Sequence, residues 1–190
     1  MTDFLHGRIE VITGCMFSGK SEELMRRLRR AAIAKEDVQL YKPDMSQWWG
    51  GEAKVSTHAH QEMPAIAIKS PSDIFDHAWK RTTLGEEIVI GIDEAQFFDI
   101  DLVNVCTQLA NSEHRVIVAA LATDFRRKPF DPIPSLLCQA DQIDMLTAVC
   151  TVCGKAAVYT QRLTDSKEQV LVGAEAIYTA RCRRHHEWKP

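Results

Sequence analysis

The sequence predicts an α/β fold in which a mostly parallel sheet is flanked by helices. Short apolar runs alternate with amphipathic helical patterns along the first part of the chain, as expected of βαβ units. Two of these runs, 88–92 and 116–121, are apolar throughout, which is typical of central parallel strands buried on both faces. A chain of 190 residues suits one domain with a small appendage. It buries about 70% of its unfolded surface, so it folds without disulfides.

Each element follows from a local pattern. The segment 7–13 alternates and then becomes apolar, which predicts a first strand. From Ser21 to about Ala34, apolar residues recur at spacings of three and four, which predicts an amphipathic helix. The other predicted elements are strands over 37–41 and 64–68, a helix over 72–79, a strand over 88–92, a helix over 101–110 and a strand over 116–121. The segment Trp48-Trp-Gly-Gly51 predicts a flexible loop.

Composition narrows the function classes. The chain has 23 basic and 26 acidic residues and a net charge of −3, whereas a general nucleic-acid binder is usually basic. Its longest apolar run, 116–122, is far shorter than the roughly 20 residues of a membrane span, and residues 1–6 lack a signal-peptide pattern. We therefore expect a cytoplasmic protein with neither a nucleic-acid nor a membrane partner. In a reducing compartment, its six cysteines indicate metal ligands or buried thiols.

A phosphate-binding loop is predicted between the first strand and the first helix. The segment Gly14-Cys-Met-Phe-Ser-Gly-Lys-Ser21 fits the pattern G-x-x-x-x-G-K-[ST] in full. In such a loop, backbone N–H groups surround phosphate oxygens, the lysine bridges the terminal phosphates and the hydroxyl binds Mg²⁺. The predicted phosphate-binding residues are Gly14, Cys15, Met16, Phe17, Ser18, Gly19, Lys20 and Ser21. The alternative is a glycine-containing turn that happens to carry Lys-Ser.

An acidic pair follows the most apolar strand. Asp93 and Glu94 come at the carboxyl end of the strand over 88–92, where ligand sites of α/β proteins lie. We expect Asp93 to hold Mg²⁺, directly or through water, and Glu94 to act as a general base. The alternative is that both merely begin a loop or helix.

A metal site is predicted near the C-terminus. Cys150-Thr-Val-Cys153 and Cys182-Arg-Arg-His185 supply a Cys₃His set, which satisfies a structural tetrahedral zinc. His186 is an alternative fourth ligand, and a redox dithiol is an alternative role for the first pair. We expect Cys15, Cys106 and Cys138 to be small core residues, with oxidation of Cys15 able to inhibit.

The phosphate loop and the parallel sheet together predict a P-loop NTPase (RecA-like) fold. A change of character near residue 147 divides the chain into a nucleotide-binding domain over 1–147 and a small zinc-binding domain over 148–190. No Pro-, Gly- or Ser-rich linker separates them, so we expect the two parts to pack on each other.

Several segments together resemble the zinc-containing thymidine kinases of the cytosolic and common bacterial type. Besides the phosphate loop, they are Gly91-Ile-Asp-Glu-Ala-Gln-Phe-Phe98, Asp124-Phe-Arg-Arg-Lys-Pro-Phe130, Leu146 to Cys153, Gln161-Arg-Leu163, Val172-Gly-Ala174 and Tyr178-Thr-Ala-Arg-Cys182. The resemblance implies transfer of the γ-phosphate of ATP to the 5′-hydroxyl of thymidine, giving dTMP for DNA synthesis by salvage. It also implies a homotetramer and feedback inhibition by dTTP.

The resemblance also implies roles for individual residues. Glu94 matches the catalytic base, and the zinc ligands match Cys150, Cys153, Cys182 and His185. The second nucleotide-site segment matches Asp93, Glu94, Ala95 and Gln96. The implied substrate-binding residues are Met16, Phe97, Phe125, Phe130, Val172, Gly173 and Tyr178, the last three in or beside a lasso loop that closes over thymine. The chain departs from the family pattern at Cys15, at Ser46 and at Ala59-His60, which concerns loop contacts rather than the reaction.

Other interpretations stay open at this point. A P-loop ATPase module with a zinc ribbon for a nucleic acid or a protein would share the phosphate loop, and a kinase for another nucleoside would share nearly everything. The run Arg26-Arg-Leu-Arg-Arg30 is interpreted as a solvated or subunit-facing side of the first helix. His6, His77 and His114 are expected at the surface.

Overall fold

The computed structural model describes residues 7–45, 54–56, 62–82, 87–171 and 177–187. Its centre is a six-stranded sheet in which all the neighbouring strands run parallel. In chain order the elements are β1 (Arg8–Gly14), α1 (Lys20–Ile33), β2 (Asp37–Pro43), β3 (Lys54–Ser56), β4 (Glu62–Pro64), β5 (Ile66–Ile68), α2 (Pro71–Thr82), β6 (Ile88–Ile92), α3 (Asp101–Asn111), β7 (Arg115–Ala120), α4 (Ile133–Gln139), β8 (Gln142–Leu146), β9 (Ala148–Val149), β10 (Ala156–Ala157), β11 (Tyr159–Arg162) and β12 (Tyr178–Arg181). The strand order of the sheet is β5-β2-β6-β7-β1-β8.

Helices cover both faces of the sheet, which is why its central strands are apolar throughout. Every residue of β6 is buried, and so is nearly all of β7. Side chains of α1 pack on one face, and those of α2, α3 and α4 pack on the other. Gly91 in β6 leaves room for this packing, because a Cβ there would lie 2.6 Å from Leu28 Cδ1 of α1.

The chain beyond β8 forms two short antiparallel ribbons, β9–β10 and β11–β12. A small apolar cluster joins them to the loop after β1, since Cys15 packs there with Ala148, Ala157 and Ala180. The C-terminal ribbons therefore contact the loop that follows β1, which is consistent with two parts that pack on each other. Within the described ranges, no helix is both long and apolar enough to span a bilayer.

A buried ionic network fastens α1 to the sheet. Glu10 in β1 accepts hydrogen bonds from the guanidinium groups of Arg8, Arg27 and Arg115. Arg27, on α1, also donates to Glu23 and, across 117 residues of sequence, to Asp144 in β8 at 2.8 Å. The network thus links α1 to three neighbouring strands.

Most predicted elements are confirmed to within a few residues, and the main omissions are α4, β8 and the β3–β4 hairpin. Three surface or core predictions are wrong. His114 is buried, with its ring nitrogen accepting from Ile88 N–H at 3.3 Å. Arg27 is buried in the network described above, and Cys138 is exposed rather than in the core. The predicted loop 48–51, Ser46 and Ala59-His60 lie outside the described residues.

We predict that Arg27→Met lowers the free energy of unfolding by about 3 kcal/mol, because it removes one partner from a buried ion cluster. Urea denaturation measures this change. Arg29→Met, on the same helix outside the cluster, serves as the matched control. Equal stability of the two variants would contradict the role given to the network.

The effect should also depend on pH. Burial acts to raise the pKa of Glu10, but the guanidinium groups of Arg115, Arg8 and Arg27 outweigh it and hold the pKa below its usual range. Hydrogen bonds from Arg26 first, and also from Arg27, lower the pKa of Glu23 to about 2. Both contributions are therefore complete above about pH 4.5 and fade as the pH falls toward 2. The gap between wild type and Arg27→Met should narrow over that interval.

Candidate active site and metal centre

The predicted phosphate-binding segment forms a tight loop between β1 and α1. Gly19 adopts a left-handed conformation (φ 82°) just before α1 begins, which glycine does without steric cost. At Gly14 a Cβ would lie 2.5 Å from the Leu146 carbonyl oxygen, so only glycine fits. The amino end of α1 follows directly, and its unpaired N–H groups and dipole favour an anion.

Two polar groups of the loop are arranged for a ligand. The Lys20 ammonium donates to the Cys15 carbonyl at 2.9 Å, which folds its side chain back along the loop. Burial lowers the pKa of Lys20, and the carboxylates of Glu94 and Asp93 oppose that change. The Ser18 hydroxyl is buried and has no hydrogen-bond partner within the described part of the chain. A buried hydroxyl and a desolvated ammonium fit a loop that receives phosphate oxygens.

The C-terminal ribbons form hydrogen bonds to the phosphate loop and so support it. Met16 N–H donates to the Thr160 hydroxyl at 3.0 Å, and the Cys15 thiol donates to the Ala157 carbonyl at 3.4 Å. Cys15 is therefore buried, and burial raises the pKa of its thiol. A thiol that stays protonated and covered is a poor target for oxidation. This geometry argues against the sensitivity expected of Cys15.

A carboxylate at the end of β6 meets the first turn of α1. The Ser21 hydroxyl donates to Asp93 Oδ1 at 3.0 Å, so the two predicted Mg²⁺ residues lie side by side. Burial, and then the nearby Glu94 carboxylate, raise the pKa of Asp93 to about 7. An acid in this position gains from a compensating cation, which a divalent metal ion supplies. The oxygen donors fit Mg²⁺.

Glu94 follows Asp93 directly, and its direction is fixed by its backbone conformation and by Gln96. Its φ of 51° is a left-handed conformation that turns the chain away from β6, and its side chain is exposed at the sheet edge. Gln96 is buried, donates to Glu94 Oε2 at 2.5 Å and accepts from Leu121 N–H at 3.0 Å. Gln96 therefore bridges the carboxylate to the chain just after β7. Ala95 is fully buried in the core, so its methyl group is not accessible to a ligand.

Aromatic side chains lie next to this edge. Phe97 and Phe130 contact each other edge to face, with ring centroids 5.9 Å apart. Phe125 is buried beneath the Arg162 guanidinium, whose central carbon is 3.7 Å from the ring centroid. Met16, in the phosphate loop, is half-buried. The structure thus gives these four predicted substrate-binding residues positions in the phosphate loop and in the loops that follow β6 and β7.

Arg162 organises the segment that leads into the predicted lasso. Its buried guanidinium donates to the carbonyl oxygens of Ser166, Glu168 and Gln169 and to the Tyr178 hydroxyl. That hydroxyl also donates to the Leu171 carbonyl at 3.2 Å. Val172 and Gly173, the remaining predicted substrate residues, lie outside the described residues.

The four predicted zinc ligands come together at the end of the ribbons. All ligand atoms of Cys150, Cys153, Cys182 and His185 lie within 4.8 Å of one another. The Cys153 and Cys182 sulfurs are 3.8 Å apart, which matches the roughly 3.8 Å edge of a tetrahedron with zinc–sulfur bonds of about 2.3 Å. A redox dithiol needs only two cysteines, so the third cysteine and the histidine in this cluster favour metal binding over that alternative. The donor set therefore fits a closed structural zinc site.

Local chemistry favours the same conclusion. Burial acts to raise the pKa of the Cys150 thiol, but hydrogen bonds from the backbone of Cys182, Val152 and Cys153 lower it to about 5.

His186 points elsewhere: its Nδ1 accepts from Arg127 Nε–H at 3.0 Å, which leaves Nε2–H to donate to the Phe125 carbonyl at 2.9 Å. Of the two histidines, His185 is the one that faces the cysteines.

Comparison with known proteins gives the family. A family model described as thymidine kinase matches residues 7–186, nearly the whole chain. The chain belongs to the thymidine kinase family. The match includes the phosphate loop, the acidic pair and the Cys₃His cluster, so the resemblance noted from the sequence is confirmed.

Solved structures add little to the description of this thymidine kinase family member. A C. elegans PCH-2 structure is 12% identical, with a TM-score of 0.49, and the match covers 76% of this chain and 37% of that one. The Legionella pneumophila ATPase DotB is 15% identical, with a TM-score of 0.47, 80% of this chain and 43% of that one being covered. The chain thus spans less than half the length of either protein.

The sequence predicts no role for two residues of this thymidine kinase family member that the structure brings to the site. Thr160 accepts a hydrogen bond from the phosphate loop, and Arg162 donates to three carbonyl oxygens between residues 166 and 169. Gln96 belongs to the predicted nucleotide-site segment, and the structure adds its hydrogen bond to Glu94. The partners of all three residues depend on the tertiary fold. No spacing or periodicity could reveal them.

We predict that Cys153→Ser lowers the zinc content of the purified protein well below one equivalent per chain, because the site loses one of its thiolates. Elemental analysis measures the loss, and limited proteolysis reports whether the ribbons loosen. Cys138→Ser, at an exposed cysteine outside the cluster, should retain the full zinc content. Wild-type protein should release zinc as the pH falls, because protons compete for the thiolates. A Cys153→Ser protein with unchanged zinc would contradict the assignment.

Proposed function

We propose that the protein is a thymidine kinase that transfers the γ-phosphate of ATP to the 5′-hydroxyl of thymidine and so produces dTMP for deoxynucleoside salvage. The observation that carries the proposal is the family match over 7–186 together with a phosphate loop facing an acidic pair. Membership of the family supports phosphorylation of thymidine in general. The donor, the base and the residue roles are proposals.

The phosphate loop is the proposed ATP site. Its backbone N–H groups and the amino end of α1 face the phosphates, and Lys20 exchanges its bond to the Cys15 carbonyl for the phosphate oxygens. Ser21 and Asp93 would hold Mg²⁺, which, when bound, neutralises phosphate charge. Positioning and charge neutralisation by these groups account for most of the rate in phosphoryl transfer.

Glu94 is the proposed general base. Its carboxylate is exposed at the edge where the nucleotide and nucleoside meet, so it can accept the proton of the 5′-hydroxyl. Gln96 fixes its direction through one donated hydrogen bond and is itself anchored to Leu121. Gln96 is thus proposed as a positioning residue rather than as a direct ATP contact.

The aromatic wall and the lasso form the proposed thymidine pocket. Phe97, Phe125, Phe130 and Met16 would enclose the nucleoside, and the loop containing Val172 and Gly173 would close over the base with main-chain hydrogen bonds. Arg162 and the zinc site hold both ends of that loop, which lowers the entropy cost of closure. We propose that residues 148–190 act as one zinc-tied cap on the domain over 1–147.

Two further properties of this proposal come from the family resemblance. A homotetramer would place several sites in one assembly, and sedimentation at working concentration tests it. Inhibition by dTTP would follow because dTTP carries both the thymidine moiety and phosphates of its own. Kinetic competition of dTTP with ATP and with thymidine tests this inhibition.

Purified protein incubated with γ-labelled ATP and thymidine should produce labelled dTMP. Deoxyuridine should be phosphorylated less efficiently by about 10–200-fold, since one methyl group contributes about 1–3 kcal/mol in an apolar pocket. A parallel reaction with deoxycytidine tests for a different base preference. ATP hydrolysis stimulated by DNA, with no labelled nucleoside product, would instead favour an ATPase module.

Glu94→Gln should lower kcat by roughly 10²–10⁴-fold, because the amide cannot accept the proton. Gln96→Ala should lower kcat less, because the carboxylate remains but loses its anchor. Steady-state kinetics measures both, and Glu36→Gln, at an exposed acid after α1, is the control. A kcat of Glu94→Gln near the wild-type value would contradict the role of Glu94 as the general base.

A further inference from the structure

A second polar pocket lies at the end of the sheet opposite the phosphate loop. It has a volume of about 270 Å³ and opens beside the last turns of α1, where β1, β7 and β8 begin. Five arginines line it: Arg8, Arg26, Arg27, Arg30 and Arg115. At a rise of about 3.3 Å per residue along β1, Glu10 in this pocket is roughly 13 Å from Gly14. The pocket is therefore separate from the proposed ATP site.

The charges of this pocket do not cancel. Glu10 accepts from Arg8, Arg27 and Arg115, and Arg27 reaches the additional carboxylates of Glu23 and Asp144. Five guanidinium groups and three carboxylates leave a net charge of +2. A concave surface with excess positive charge raises the local concentration of anions.

The arginines differ in how firmly they are held. The side chain of Arg27 is only 9% exposed, so its position is fixed by the carboxylates around it. Arg26 is exposed and binds Glu23 with two hydrogen bonds. Arg30 is exposed and makes no ion pair with any residue that the structure describes. The floor of the pocket is thus ordered, and the Arg30 guanidinium at its mouth has no ion pair within the described ranges.

We infer that this arginine pocket binds a small polyvalent phosphate anion. Guanidinium groups bind phosphate oxygens in pairs, and several of them converge here. The volume is slightly below the 300–1,000 Å³ of most ligand pockets, which suits an inorganic ion or the phosphate tail of a nucleotide rather than a whole nucleoside. The anion contacts Arg30 and Arg26 at the mouth of the pocket, while Glu10 keeps the arginines at the floor of the pocket ordered.

The test uses zinc-loaded, full-length protein carrying Lys20→Met, which weakens the first phosphate site. Isothermal titration with inorganic diphosphate at about 50 mM salt should show saturable binding that weakens as salt is added. Arg30→Ala in this background should lower the affinity roughly tenfold, the effect of losing charge-assisted hydrogen bonds. Arg30→Lys should lower it less, since the charge is kept.

Arg29→Ala is the matched control, because it removes the same charge from the same helix outside the pocket lining. It should leave diphosphate affinity within about twofold of the background protein. Circular dichroism on each variant verifies the fold, and Arg30, being exposed and without an ion pair among the described residues, should alter stability little.

A parallel titration with ATP distinguishes the two sources of phosphate. Binding of ATP that depends on Arg30 in the Lys20→Met protein supports a nucleotide tail, and binding of diphosphate alone supports a free ion. The inference is overturned if neither binds, if Lys20→Met abolishes all binding, or if Arg29→Ala weakens binding as much as Arg30→Ala. An Arg30→Ala change in sedimentation without any change in diphosphate affinity would also overturn it, in favour of a contact between subunits. These outcomes do not depend on thymidine phosphorylation.

Discussion

The rest of the molecule depends on one constraint, which is that the phosphate loop must keep its N–H groups open toward a ligand. Backbone N–H groups that face a ligand cannot also stabilise the loop with hydrogen bonds inside it. The loop gains support from the C-terminal ribbons, where Thr160 accepts Met16 N–H and Cys15 packs among small ribbon residues. The ribbons that supply these contacts converge on the Cys₃His cluster. The C-terminal part of the chain is therefore structural support for the loop, in addition to its proposed role as a cover for the base.

A second constraint is electrostatic. The Lys20 ammonium and the Asp93 carboxylate are buried and interact electrostatically with each other and with the exposed Glu94 carboxylate, and charges shielded from water interact more strongly than charges in water. Each group has a different neighbour that fixes its direction: a backbone carbonyl for Lys20, a hydroxyl for Asp93 and an amide for Glu94. The edge is thus ordered before any ligand enters, so little reorganisation remains for the reaction itself.

Motifs predicted the parts of the site whose geometry depends on neighbouring residues in the chain. The loop from Gly14 to Ser21 and the pair Asp93 and Glu94 are of this kind, since a strand, a turn and a helix position them locally. Spacing alone leaves both His185 and His186 open, and the family resemblance selects His185, which the structure places beside the three cysteines. The Cys153–Cys182 distance also depends on how two ribbons meet.

Long-range pairing explains what the sequence could not reveal. Arg27 sits in a run of charges that resembles a solvated face, and its partners Glu10 and Asp144 are 17 and 117 residues away. The edge strand β8 lacks a clear sequence signal because its exposed Ile143 and Met145 alternate with polar residues, without the continuous apolar run of β6.

The hydrogen bonds of Arg162 to the backbone bear on which sequence changes this segment tolerates. It binds carbonyl oxygens of Ser166, Glu168 and Gln169, which every amino acid possesses, and none of their side chains. The side chains of Glu168 and Gln169 are exposed. Arg162 therefore places no constraint on the side chains of Glu168 and Gln169, whereas it does constrain the number of residues from 162 to 169. Substitutions at these two exposed positions should be tolerated, and insertions between 162 and 169 should not.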